Sequence, residues 1–174
     1  MGGEGIREAV RRYYKDAQQP HHRYRSWEHC YQFFRHRSDI DRDVACLHLG
    51  FYLASSGMLR GSTQLLKKDY KVHREAVDLI LSPQYDCLRD LSLVDAQRLQ
   101  GPLFELISSL REVYQRLLIN GDGDFSSDTL VTKALLGTLG CIPAYDRFFV
   151  RGMRNVGLTY SGLKPINFRK MVCY

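Results

Sequence analysis

The residues best suited to chemistry lie between positions 129 and 149 of the sequence. An apolar run at 130–139 predicts a helix, and a short connector that contains Pro143 follows it. Asp146 comes directly after the connector and precedes a second helical run at 147–154, so we expect it to begin that helix. A carboxylate in this position lies beside outward-pointing backbone N–H groups, where a ligand can approach.

This segment resembles the core of the helix-hairpin-helix DNA glycosylases. In that family a helix, a short connector with a proline and an Asp that opens the next helix place the catalytic carboxylate beside an extruded nucleotide. The resemblance implies a two-lobed all-α fold and excision of a damaged or chemically modified base from DNA. It further implies that Asp146 is catalytic, that no metal or cofactor is needed, and that a monomer acts on duplex DNA with an extruded base.

The proposed chemistry requires a carboxylate. Breaking an N-glycosidic bond builds positive charge on the deoxyribose, and a fixed carboxylate stabilises that charge while it orients or deprotonates the attacking water. The nucleotide must leave the base stack because its reacting atoms are inaccessible within the duplex. The alternative interpretation is that Asp146 is an ordinary helix cap.

Lys133 is the second catalytic candidate. Many glycosylases of the family carry a Lys on the helix before the Asp, and its amine attacks the sugar to form a Schiff base. In those members the Lys follows a Gly-rich hairpin and stands further from the Asp. Here the spacing is thirteen residues and positions 124–128 contain no such hairpin. We therefore expect Lys133 to face solvent, to matter less than Asp146, and water to be the nucleophile of a monofunctional enzyme.

The charge of the chain favours a polyanionic partner. Net charge is +6, with basic residues gathered in six clusters, which we expect to form a continuous surface that binds DNA. The candidate DNA-binding residues are Arg60, Lys67, Lys68, Arg147, Arg151 and Arg154.

Three residues are candidates for a base pocket. Trp27 and Tyr52 belong to an aromatic-rich pair of predicted helices and have faces on which an extruded base can stack. Gln64 follows Gly61 at a predicted helix N-terminus, where a polar side chain can read a base edge. The alternatives are core packing for the two aromatic residues and a simple glycine turn before Gln64.

Helical periodicity dominates the rest of the sequence and predicts one all-α domain, residues 1–174, of about eight helices. We expect Ser26 to cap one helix, Asp39 or Asp41 the next, and Ser127 or Asp128 the helix before Lys133. The predicted helices are 2–18, 27–37, 44–55, 62–68, 72–81, 103–119, 130–139 and 147–154, and the tail from 157 is expected to be irregular.

Several classes of protein are disfavoured. No apolar run reaches membrane-spanning length, and the first residues do not form a secretory signal. The five scattered cysteines indicate reduced thiols and a cytoplasmic location. The oxygen-rich segment 120–128 fails the calcium-loop pattern in both registers, because the required Gly and Glu are absent.

Two other functions remain open. Arg23 and His29, and likewise Arg42 and His48, have the spacing of the Arg and His pair in HEPN ribonucleases, which are also all-α and act across a dimer. Those residues act on the 2′-OH and the scissile phosphate of RNA. The second alternative is a non-catalytic helical protein, either a nucleic-acid-binding protein or an adaptor.

Overall fold

The computed structural model of the chain describes residues 3–36, 40–61, 63–89, 91, 95, 98–118, 127–158 and 162–172. Within these residues the chain is helical and contains no strand, which confirms the predicted all-α class. Eight α-helices are described: α1 Gly3–Ala17, α2 Arg25–Arg35, α3 Arg42–Ser55, α4 Arg74–Ile80, α5 Gln100–Leu118, α6 Ser127–Thr138, α7 Arg147–Asn155 and α8 Pro165–Val172. Three 3₁₀ segments lie between α3 and α5: Gln64–Lys67, Tyr70–His73 and Pro83–Leu88.

Helix α6 lies at the centre of the fold. It packs against α2, α3 and α5, and its side chains from Leu130 to Leu135 are all buried. A helix that is apolar on nearly every face is typical of such a central position. Lys133 is the charged exception among these buried side chains, and a charge in the interior requires compensating partners.

Several predicted helix ends differ from those observed. Ser26 lies inside α2, which begins at Arg25 without a side-chain cap, so that prediction is wrong. Asp41 does cap α3, whereas Asp39 lies outside the described residues. The predicted helix 62–68 is only the short 3₁₀ segment Gln64–Lys67, and the tail contains α8, which the glycines and proline around it had obscured.

Asp128 holds the C-terminal part of the chain to the centre. Its Oδ1 accepts a hydrogen bond from Arg111 Nε at 3.0 Å, and its Oδ2 accepts one from the backbone N–H of Leu163 at 3.0 Å. The side chain therefore joins α5, α6 and the segment before α8. Helix α6 begins at Ser127, so Asp128 lies inside the helix and does not precede it as predicted. Most of the oxygen-rich segment, including Asn120, Asp122 and Asp124, lies outside the described residues. The cysteines that the structure describes, Cys30, Cys46, Cys87 and Cys141, are free thiols.

His73 is a buried histidine with a structural role. It is 2 % exposed, and its Nδ1 lies 3.0 Å from the hydroxyl of Tyr114. A Cβ added at Gly50 would lie 3.4 Å from the imidazole, which is close to ordinary van der Waals contact, so α3 packs directly on the ring. Burial lowers the pKa of His73 to about 4, because the charged form would lose its hydration.

We expect the free energy of unfolding to fall as the pH is lowered from about 6.5 to about 4. In this window the unfolded chain protonates His73 and the native chain does not, so protons favour unfolding by up to about 3 kcal/mol. His48, whose pKa is also lowered by burial and by His29, acts in the same direction. Urea unfolding at several pH values measures the slope. In the His73→Gln variant, the free energy of unfolding should fall less steeply with decreasing pH. Equal slopes in the variant and the unmodified protein would contradict the role assigned to His73.

Candidate functional site

A cavity of about 1010 Å³ opens beside the start of α7. Residues from α1, α2, α3 and α6 contribute to its walls, together with the segments that join α1 to α2 and follow α3. Its aromatic lining consists of Tyr13, Tyr14, Tyr24, Trp27, Tyr52 and Phe148. Its charged lining consists of Arg23, Arg60, Lys133, Asp146 and Arg147. Both residues that the sequence analysis selected as catalytic candidates therefore lie in one cavity.

The connector 141–145 explains how Asp146 reaches the cavity. The backbone N–H of Tyr145 donates to Thr132 Oγ1 at 2.9 Å, and Thr129 Oγ1 donates to the Tyr145 carbonyl at 3.0 Å. These two bonds fold the connector back along α6, so that Asp146 returns to the level of Lys133. The reversal begins at Gly140, whose φ of +66° lies in the left-handed region that favours glycine.

Asp146 uses its two oxygens differently. Oδ1 accepts hydrogen bonds from the backbone N–H groups of Phe148 at 3.0 Å and Phe149 at 3.1 Å, so the predicted helix cap is confirmed. Oδ2 lies 3.9 Å from Lys133 Nζ. The side chain is 29 % exposed. One oxygen thus fixes the carboxylate to the helix, and the other accepts no capping N–H bond.

Lys133 is buried, so the expectation that it faces solvent is wrong. It is 9 % exposed, and its Nζ donates to the Ser56 carbonyl at 2.7 Å. Desolvation by burial lowers the pKa of Lys133, the Asp146 carboxylate opposes this shift, and the guanidinium groups of Arg60 and Arg23 add to it. The sequence spacing was misleading because the connector doubles back over α6, a path that the spacing does not encode.

The Ser56 carbonyl is available to Lys133 because of how α3 ends. Gly57 has a φ of +82°, and the N–H of Met58 bonds to the carbonyl of Leu53 at 2.9 Å. This is the pattern of a glycine-terminated helix, which satisfies earlier carbonyls and leaves the last ones to other donors. The lysine ammonium is such a donor, and it meets the negative end of the α3 dipole.

Trp27 and Tyr52 both line the cavity, and each is held in place by α6. The indole Nε1 of Trp27 donates to the Leu136 carbonyl at 3.0 Å, near the C-terminal end of α6. Tyr52 lies flat against Gly137, where an added Cβ would come within 2.3 Å of the ring. Only glycine at this position lets the ring approach the helix so closely.

Gln64 does not line the cavity, so its predicted place in the base pocket is wrong. Thr63 lines the wall instead, and its Oγ1 accepts a hydrogen bond from the backbone N–H of Arg60 at 3.3 Å. This tight turn presents Arg60 and Thr63 together. The predicted helix that would have oriented Gln64 is reduced to a four-residue 3₁₀ segment.

The predicted basic residues fall into two groups. Arg60 and Arg147 line the cavity. Arg147 and Arg151 flank the ring of Phe148, with guanidinium carbons 4.7 Å and 5.7 Å from its centroid. Phe148 is 58 % exposed, which is unusual for a phenylalanine and gives the cavity an aromatic rim. The other four candidates are exposed on the surface outside the cavity lining: Lys67, Lys68, Arg151 and Arg154.

Sequence reasoning missed the contribution of the N-terminal region to the pocket. Tyr13 stacks on Tyr24 with ring centroids 4.9 Å apart and planes 21° apart, and Tyr14 lines the cavity next to Tyr13. Arg23 lies over the Tyr24 ring at 5.4 Å. A signal was present, because tyrosines adjoin arginines at 11–14 and 23–25, a combination suited to stacking and phosphate contacts.

The two Arg and His pairs are not assembled in the cavity. Arg23 lines it, but His29 does not and is exposed. Arg42 forms a surface ion pair, and His48 stacks on Phe33 with centroids 4.1 Å apart. No observation in the described part of the chain therefore favours the ribonuclease interpretation.

Comparisons of the chain with models of protein families, with curated proteins and with solved structures gave no match. None of the helices in the described ranges is long and apolar enough to cross a membrane. The same ranges contain no cluster of three His, Cys, Asp or Glu side chains that can hold a metal ion. The functional interpretation therefore depends on the geometry of the cavity.

Proposed function

We propose that the chain is a DNA glycosylase that excises a damaged or chemically modified base, with Asp146 as the essential carboxylate. The supporting observation is the Oδ2 oxygen of Asp146, which caps no N–H group and borders a cavity walled by aromatic rings and arginines. The enzyme acts as a cytoplasmic monomer on duplex DNA with an extruded base, in genome repair or in defence against foreign DNA.

The size and lining of the cavity suit a nucleotide. Pockets for small ligands measure about 300–1,000 Å³, so a cavity of about 1010 Å³ has room for a whole nucleotide with an enlarged base. Aromatic faces such as that of Trp27 stack on bases of any sequence. A guanidinium group such as that of Arg60 can donate two parallel hydrogen bonds to two oxygens of one phosphate.

The carboxylate is pre-organised for its task. Its Oδ1 is held by two backbone N–H groups, so Oδ2 keeps its direction while the bond between sugar and base breaks. As the base leaves, positive charge grows on the sugar, and Oδ2 stabilises it without having to reorient. Oδ2 then accepts a proton from the water that attacks C1′.

A second reaction, cleavage at the abasic site, is favoured by the burial of Lys133 beside Asp146. Desolvation lowers the pKa of this amine, which makes the uncharged, nucleophilic form easier to reach. The amine can lose its proton to Asp146 Oδ2, 3.9 Å away, and displace the base at C1′, and the base leaves with the electron pair of the broken bond. The attached nitrogen then loses a proton and the ring oxygen gains one, which opens the sugar to an imine. Loss of a proton from C2′ of this imine expels the 3′ phosphate and cleaves the strand.

The direct test is incubation of the protein with a panel of DNAs that differ in base modification. Released bases are identified by mass spectrometry, and abasic sites are counted with an aldehyde-reactive probe. A glycosylase releases a base from at least one modified DNA. A HEPN ribonuclease cuts RNA directly, requires the 2′-OH and leaves DNA untouched, whereas an adaptor changes neither nucleic acid.

DNA binding is expected to depend strongly on salt and little on sequence. Each neutralised phosphate contributes about 0.9 to the slope of log affinity against log salt, so four to six contacts give a slope of about −4 to −5. Arg147, Arg151 and Arg154 follow Asp146 within α7, and replacing any one by Gln should make the slope shallower by about 1. Fluorescence anisotropy with a labelled duplex measures this slope.

Arg116→Gln is the matched control, because it removes a charge that is already paired with Glu75. If the affinity of the unmodified protein for DNA does not change with salt, the result supports the adaptor instead.

A further inference from the structure

Helix α1 carries one basic stripe that leads to the cavity. Arg7, Arg11 and Tyr14 follow one another at intervals of four and three residues, so they lie on one face of the helix. All three are exposed, and Tyr14 is 59 % exposed although it also lines the cavity. An aromatic ring at the cavity mouth is thus continuous with two cations on the outer surface.

The described contacts of α1 with the rest of the protein lie near its C-terminal end. Tyr13 stacks on Tyr24, and Ala17 is buried. From Arg7 to Arg12, by contrast, every side chain is exposed. The chain then turns at His21, whose φ of +58° is uncommon for a residue other than glycine. The helix is therefore anchored beside the cavity and extends away from it with its side chains in solvent.

The same cavity has a second rim of similar composition on α7. Phe148 is exposed between Arg147 and Arg151, as Tyr14 is exposed beside the stripe on α1. A polyanion with flat, stackable groups is complementary to such a rim, because cations bind its phosphates and aromatic rings stack on its bases. A nucleic-acid strand has this chemistry, whereas an apolar peptide would leave the arginines without partners.

We propose that α1 is a DNA-binding arm, in which Arg7 and Arg11 bind phosphates beside the extruded nucleotide and Tyr14 stacks on the neighbouring base. This inference rests on the proposed function and adds to it a surface that the chemistry at Asp146 does not require. Four helical residues advance about 6 Å along the axis, so the two arginines contact successive phosphates of one strand. Tyr14 continues the stripe toward the cavity.

The test measures binding of a fluorescein-labelled duplex with a central tetrahydrofuran nucleotide, an abasic analogue, at about 50–200 mM salt. The double variant Arg7→Gln/Arg11→Gln should bind at least tenfold more weakly at the lower salt concentration, with a slope shallower by about 2. Arg12→Gln is the matched control, because Arg12 lies on the same helix and is ion-paired with Glu8 at 3.5 Å. The proposed arm would be refuted if the slope of log affinity against log salt were unchanged in the double variant, or if Arg12→Gln changed it equally.

Tyr14 supplies a test that does not depend on charge. Tyr14→Ala should weaken binding of the same duplex about tenfold, and Tyr14→Phe should bind as the unmodified protein does, because only the ring stacks. Equal affinity of the Ala and unmodified proteins would contradict the stacking role. If Asp146-dependent base release persists while these variants bind normally, the arm alone is wrong. If the unmodified protein binds no duplex, both the arm and the proposed function are wrong.

Discussion

Replacing Asp146 by Asn is expected to abolish base release while the protein still folds and binds DNA. The substitution removes the charge that stabilises the sugar in the transition state, which should raise the barrier by several kcal/mol, on the order of a thousandfold in rate. Asn accepts the same capping hydrogen bonds from Phe148 and Phe149 through its side-chain oxygen, so α7 keeps its first turn. Single-turnover base release and thermal unfolding of both proteins measure the two effects.

Asp41→Asn is the matched control for this prediction. Asp41 caps α3 with the same geometry, accepting from the backbone N–H groups of Asp43 at 2.8 Å and Val44 at 2.9 Å. It does not line the cavity. Both Asn variants should still fold, and Asp146→Asn should lose more stability than Asp41→Asn because the buried Lys133 loses the neighbouring carboxylate. Only Asp146→Asn should lose activity. If Asp146→Asn is about as active as the unmodified protein, Asp146 serves only as a helix cap.

Borohydride is expected to trap a covalent adduct between the protein and DNA that contains an aldehydic abasic site. The Lys133 amine condenses with the aldehyde and releases water, and reduction of the imine gives a stable bond. Lys133→Arg should give no adduct, because its guanidinium stays protonated, although it still places a cation beside Asp146 and the Ser56 carbonyl. Denaturing gel electrophoresis of labelled DNA detects the adduct.

Two other outcomes of the trapping experiment have distinct meanings. No adduct with the unmodified protein would refute an imine at Lys133 and favour water as the nucleophile, as the sequence spacing predicts. An adduct that persists in Lys133→Arg would assign the imine to another amine. Neither outcome changes the prediction for Asp146, because stabilisation of the sugar charge does not depend on which nucleophile attacks.

The helix end, the connector and the capping residue around Asp146 could be predicted, because each is determined by a few neighbouring residues. Gly140, Pro143 and Asp146 end one helix and begin the next through backbone geometry and capping, which depend on a few neighbouring residues. The exposure of Lys133 could not be predicted in this way. It depends on contacts that are distant in sequence: α6 packs against α3, and the carbonyl of Ser56 just beyond α3 accepts a hydrogen bond from Lys133 Nζ. No rule of spacing specifies such contacts.

The walls of the cavity were predictable only in part. Trp27 and Tyr52 were found because aromatic residues on neighbouring helices have few roles other than core or pocket. Tyr13 and Tyr14 stand more than a hundred residues before Asp146, and only the tertiary fold brings them to the same cavity. Gln64 was predicted to line the base pocket because a helix was expected at 62–68. The structure has only the 3₁₀ segment Gln64–Lys67 there, and Gln64 does not line the cavity.

The central claim is that Asp146 stabilises positive charge on a sugar, and it can be tested without knowledge of the base. Two duplexes are compared, one with a central tetrahydrofuran nucleotide and one with its pyrrolidine analogue, whose protonated nitrogen resembles the charged sugar of the transition state. We predict that the unmodified protein binds the pyrrolidine duplex about a hundredfold more tightly, and that Asp146→Asn binds the two equally. Equal binding by the unmodified protein, or a preference that survives in Asp146→Asn, would contradict the proposed function.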